Sequence, residues 1–151
     1  MTTTRPSTRT SSELAARLRL VVTRLSRQLR QRAEIGISPT QMSALAAIER
    51  HGSMTLGELA AHERVQPPSI TAVVTRLEEQ GLVARRPDPN DRRVARVEAT
   101  RDGHKLVARS RSRKDAELDR RLRALTDDER ATLADATEIL ERLVEAEQEP
   151  D

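Results

Sequence analysis

A mainly helical fold with one small β-hairpin, an α+β class, is what this sequence predicts, on three observations. Apolar residues recur at helical spacing over most of the chain. Helix-start chemistry returns at Ser38, Thr55, Gln66 and Thr126. The period shortens only between Leu82 and Ala99, where two short apolar runs flank a loop rich in turn-forming residues. A length of 151 residues fits one domain with an attached oligomerisation element.

Each element has its own local reason. Residues 1–11, rich in Thr, Ser, Arg and Pro, are expected to form a disordered arm. From Ser12, the residues Leu14, Leu18, Val21, Leu25 and Leu29 form one narrow stripe on an otherwise charged helix ending near Ile35-Gly36. So narrow a stripe predicts packing against other helices. Ser38 caps a second helix, with Pro39 at its first position and Gln41 three residues after the cap; it ends at His51-Gly52. Thr55 with Glu58 forms a second capping box, opening a short helix over 56–63. A fourth helix, 67–80, places Ile70, Val73, Val74 and Leu77 on one face and stops at Gly81. Strands are expected at 82–86 and 94–99, joined by Pro87-Asp88-Pro89-Asn90-Asp91-Arg92-Arg93. Thr100 then caps a long helix, and Thr126 opens the last one, whose apolar residues include Leu133, Ile139, Leu140 and Leu143.

Composition excludes several functions. Phe, Tyr and Trp are all absent, which removes the rings on which single-stranded nucleic acid stacks and those that cage quaternary ammonium groups. There is no Cys, hence no disulfide framework or thiolate chemistry. No apolar run approaches the ~20 residues of a membrane span, and the N-terminus lacks a signal-type apolar region, so a cytoplasmic protein is expected.

Charge is segregated. Residues 1–33 carry +7, 34–84 carry −3, 85–113 carry +6 and 114–151 carry −7. Of 27 basic residues, 25 are Arg, whose planar fork suits phosphates and guanine edges. A genome rich in G and C would also favour Arg over Lys, but it would not place a +6 block beside a −7 block. Such segregation points to a surface for a polyanion.

Two short helices joined by a tight turn and followed by a hairpin make a winged helix-turn-helix. Helix 56–63 is then the support and helix 67–80 the element that enters the major groove of duplex DNA. With its apolar face buried, helix 67–80 presents Gln66, Pro68, Ser69, Thr71, Ala72, Thr75 and Arg76. Its N-terminus can hold a phosphate. Arg92 and Arg93 are long enough to enter the narrow minor groove, and Arg85 and Arg86 either contact phosphates or flank a strand.

These residues resemble the multiple-antibiotic-resistance regulator (MarR) family of winged-helix repressors. Leu77-Glu78-Glu79-Gln80-Gly81-Leu82-Val83-Ala84-Arg85 is similar to the family's L-E-x-x-G-L-V-x-R. Asp88-Pro89-Asn90-Asp91-Arg92-Arg93 resembles its wing, and Val97-Glu98-Ala99-Thr100-Arg101-Asp102-Gly103 its V-x-L-T-x-x-G exit, with Ala99 where Leu is usual. The likeness spans roughly 12–147. It implies a homodimer assembled through helices at 12–35 and 101–147, around a DNA-binding domain at 36–100. It further implies Arg93 in the minor groove, Asp91 orienting the wing, and Ser69, Thr71, Thr75 and Arg76 toward the major groove. Family members usually release DNA when a small ligand fills a cleft beside the dimer helices. An Arg-rich aliphatic cleft here suits an anionic apolar effector. The peroxide-sensing branch needs a Cys that this chain lacks.

No enzyme is expected: no nucleophile elbow, Gly-rich phosphate loop or Ser-His-Asp order is visible. No cofactor is implied and no metal site is expected, because His51, His62 and His104 form no His-x-x-x-His pair. His51 and His62 are accounted for by the favourable dipole at helix C-termini. A winged helix that has kept its shape for protein contacts alone is the competing reading.

Overall fold

The computed structural model describes residues 10–33 and 36–145. It comprises two compact units, one ending at Lys114 and one beginning at Asp115. The first contains α1 (Ser11–Arg32), α2 (Pro39–His51), β1 (Met54–Thr55), α3 (Leu56–Glu63), α4 (Pro67–Glu79), β2 (Val83–Pro87), β3 (Ala95–Ala99) and the start of α5 (Arg101–Leu122). The second holds the end of α5 and α6 (Asp127–Glu145).

Reciprocal capping boxes set the helix starts. Ser38 Oγ accepts the Gln41 N–H at 3.2 Å while Gln41 Oε1 accepts the Ser38 N–H at 2.8 Å. Thr55 with Glu58 and Thr126 with Glu129 repeat the arrangement. Each satisfies two otherwise orphan backbone donors, worth about 1 kcal/mol per cap. A further box, Thr10 with Glu13, starts α1 one residue earlier than the stripe predicts. Ser11, expected in the arm, is thus the first helical residue; residues 1–9 of the expected arm lie outside the described residues, as do 34–35 at the expected helix end.

The core sits where α2, α3 and α4 pack on one another and on the sheet. Leu45, Ile48, Leu59, Ile70, Val74, Leu77 and Val97 are essentially fully buried. Each contributes about 1.5–3 kcal/mol of transfer free energy. Val73, expected on the buried face of α4, is only half-buried, because Ile70, Val74 and Leu77 already fill the contact. From α5, Gly103, Val107 and Ser110 are buried.

The hairpin forms, but the sheet has three strands in the order β1-β3-β2, all antiparallel. Met54 pairs with Val97 and Thr55 with Arg96. The third strand escaped the sequence because two residues carry no period. Only its partner, β3, makes it a strand.

The long elements α1 and α6 have no buried residue. Leu14 and Val21 on α1 are each 54% exposed; Ile139 and Leu143 on α6 are 51% and 59% exposed. No helix among the described residues is long and apolar enough to cross a membrane.

Candidate nucleic-acid interface

Helix α4 presents a polar face because its apolar residues are used up in the core. Gln66, Pro68, Ser69, Thr71, Thr75 and Arg76 are all exposed. The α3–α4 turn is tight: Arg64 takes the left-handed conformation at φ 54°, and the Val65 N–H bonds to the Ala60 carbonyl at 3.0 Å. No side chain caps the α4 N-terminus. Pro67 and Pro68 lack an N–H, and the Ser69 and Ile70 N–H groups both donate to the Gln66 carbonyl, at 3.0 and 3.3 Å, so the phosphate site expected at this N-terminus is left with the helix dipole alone.

Two hydroxyls on this face are turned back onto their own helix. Thr71 Oγ1 donates to the Pro67 carbonyl and Thr75 Oγ1 to the Thr71 carbonyl, each at 2.9 Å. Thr75 Oγ1 also accepts from Arg85 Nη2 at 3.2 Å, and Arg85 Nε lies 3.3 Å from Glu78 Oε2. Arg85 thus ties β2 to α4 and is not a loose surface cation. Arg76, by contrast, forms no side-chain bond to Glu79 or Gln80 among the described residues.

The wing is built by two aspartates. Asp88 Oδ1 accepts the N–H groups of Asn90 at 2.8 Å and Asp91 at 3.2 Å. Asp91 Oδ1 accepts the Arg93 N–H at 3.0 Å. The Asn90 N–H, foremost, holds the Asp88 carboxyl below the usual carboxylate range. Arg86, Arg92 and Arg93 are exposed and have no side-chain partner among the described residues. Sequence reading found Asp91 but missed Asp88. The signal was present, since an Asp two residues before Asn90 is an Asx-turn former. Asp88 is also gripped by Arg96, a strand residue with no motif to flag it.

A second feature is an open cleft of about 860 Å³ between the end of α1, α2 and α5. Met42, Ala46 and Val107 form its apolar part, and Arg27, Arg30, Arg50, Arg111 and Lys114 line it with positive charge. Arg111 is held by Glu49 at 2.7 Å. Elsewhere His51 and His62 meet edge to face at 5.0 Å, and no trio of His, Asp or Glu among the described residues is arranged for a metal ion.

Comparison with known proteins decides the family. Residues 37–95 match the MarR family model. An HTH-type transcriptional regulator of Mycobacterium tuberculosis is 41% identical over 89% of this chain and 94% of its own length. The chain belongs to the MarR family. The HTH-type transcriptional repressor MdtR of Bacillus subtilis is 31% identical over 75% of the chain and 73% of its own length. Among solved structures, a MarR family protein from Bacillus stearothermophilus superposes with a TM-score of 0.76 at 26% identity, covering 93% of this chain and 99% of that one. The mainly helical winged-helix fold and its three-stranded sheet are thus those of MarR regulators. MarR proteins are transcriptional regulators, not enzymes, and this chain is one of them.

Proposed function

We propose that this MarR protein is a homodimeric repressor that reads a pseudo-palindromic duplex operator. In this reading α4 lies in the major groove through Gln66, Pro68, Ser69, Thr71, Thr75 and Arg76, and the wing, 87–93, places Arg92 and Arg93 in the minor groove. The observation that carries it is the exposed polar face of α4, with Arg76, beside a hairpin whose Arg86, Arg92 and Arg93 are exposed and have no side-chain partner among the described residues. Four such cations on the helix and the hairpin of one winged helix-turn-helix fit a surface whose partner is a polyanion.

The exposed apolar stripes of α1 and α6 support dimerisation, because large apolar side chains repeating along one helix face call for a partner surface. The similarity to MdtR supports repression. The cationic, partly apolar cleft supports a small apolar anion as effector, one that prefers a protein conformation unsuited to DNA and so shifts the population away from it.

Duplex binding measured against salt tests this. A dimer neutralising about 6–10 phosphates gives a log–log slope of roughly −5 to −9. Arg93→Ala weakens binding by about 1–3 kcal/mol and leaves the dimer intact. Absence of duplex binding at low salt would refute the reading in favour of a protein-contact module.

A further inference from the structure

We propose that Arg96 is the positioning residue of the wing, one guanidinium that fastens the wing base to the helix-turn-helix body and so fixes where Arg92 and Arg93 are held. The functional consequence rests on the DNA reading above; the fastening itself does not.

Arg96 occupies the central strand β3, on the face opposite the buried Val97. Its Nε donates to Ser53 Oγ at 2.9 Å and its Nη2 to the Ser53 carbonyl at 2.6 Å. Nη2 also reaches Glu58 Oε2 at 3.3 Å, and Nη1 reaches Asp88 Oδ2 at 3.2 Å. One side chain thereby joins the turn after α2, the first turn of α3 and the base of the wing. Both carboxylates have a second task on their other contacts. Glu58 Oε2 accepts the Thr55 N–H in the α3 capping box, and Asp88 Oδ1 organises the turn through the Asn90 and Asp91 N–H groups. The wing turn is thus bolted through Asp88 to the same cation that holds the start of α3.

Arg85 ties β2 to α4 and β1 pairs with β3, but among the described residues Arg96 is the one side chain that reaches from the body to the wing turn itself. Beyond Val83 no residue of β2 is buried, and Val97 is the one buried residue of β3. Strand pairing ends at Pro87 with Ala95. A two-stranded ribbon without an apolar face is marginal and free to bend. The register also sets Arg86 directly across from Arg96, a like-charged pair that is unfavourable unless one member is neutralised. Asp88 and Glu58 neutralise Arg96, which leaves Arg86 as the cation that stays unpaired. An ammonium in place of the fork cannot span Ser53 and two carboxylates at once.

A pair this near the surface contributes little to global stability, so the proposal is read from position rather than from melting. In the DNA-free protein, Arg96→Ala and Arg96→Lys both accelerate hydrogen exchange at the Asn90, Asp91 and Arg93 amides and leave that of Val97 unchanged. Asp88→Asn keeps the acceptor for the turn and removes the one for Arg96, and it gives the same pattern. On a duplex selected by the wild-type protein from a random pool, Arg96→Ala weakens binding about tenfold. That loss disappears when Arg93 is already Ala. Unchanged exchange in the wing overturns the proposal, and so does full additivity of Arg96→Ala with Arg93→Ala. If the wild type selects no duplex, the DNA reading falls, while exchange still decides the fastening.

Discussion

Gly103→Ala is expected to destabilise the protein even though it places a better helix former inside a helix. Gly103 is buried in the first turn of α5, and a Cβ there would lie 2.1 Å from the Leu82 carbonyl oxygen and 3.2 Å from Leu45 Cδ1. Carbon and oxygen do not approach within 3.0 Å, so the two backbones must part by roughly 1 Å. A carbonyl cannot rotate aside as a side chain would. This one accepts the Thr100 N–H at 3.0 Å, while Thr100 Oγ1 donates to the Gly81 carbonyl at 2.6 Å and accepts the Gly103 N–H at 3.1 Å. The methyl therefore pries at a hydrogen-bonded crossing. Overpacking costs about 1–3 kcal/mol and a strained hydrogen bond about 1 kcal/mol. The Ala helix preference returns at most about 1 kcal/mol. The net is a loss of roughly 1–3 kcal/mol, or about 3–10 °C in Tm for a chain of this size.

The assay is urea unfolding followed by far-UV circular dichroism, since the chain has no aromatic fluorophore. Protomer concentration is held fixed, because dimerisation would shift the midpoint. Gly57→Ala in α3 is the matched control: its Cβ would meet only Thr55 Oγ1, at 3.9 Å. That variant is expected to be neutral or to gain up to about 1 kcal/mol. If both substitutions shift the midpoint alike, the close approach at Gly103 is wrong.

Two further outcomes test the second unit. Glu117 receives Arg120 through Nη2 at 2.9 Å and Arg121 through Nε at 2.8 Å, and these bonds lower its carboxyl from 4.5 to about 2. A folded-state value below the unfolded one means the stabilisation is complete above pH 4.5 and lost as pH falls through about 2. Carboxyl 13C titration should place the Glu117 midpoint near 2, and Glu117→Gln should flatten acid sensitivity between those limits; a midpoint near 4.5 contradicts the pairing. Separately, Ile139→Asp with Leu143→Asp should convert the proposed dimer to monomer in sedimentation and weaken duplex binding. A persistent dimer would show that the α6 stripe is not part of the interface.

Helix starts were legible residue by residue, because a cap involves only neighbours three positions apart. Ser38 with Gln41 and Thr55 with Glu58 behave as their spacing requires. The Asp91 contact to the Arg93 N–H is equally local. The contacts that escaped join distant segments. Arg96 reaches Ser53, 43 positions away, and Arg85 reaches Thr75, 10 positions away. No periodicity announces such pairs.

The chain by itself therefore determined the helices, the hairpin, the basic and acidic blocks and the family likeness, since these depend on local chemistry and on counting. Only the tertiary structure decided which of its many arginines are spent inside the protein and which stay unpaired. Arg85, Arg96 and Arg111 are bound to carboxylates, whereas Arg76, Arg86, Arg92 and Arg93 are not. Identical side chains acquire different roles because a guanidinium's partner is set by which strands and helices the packed core brings beside it, and sequence distance carries no record of that.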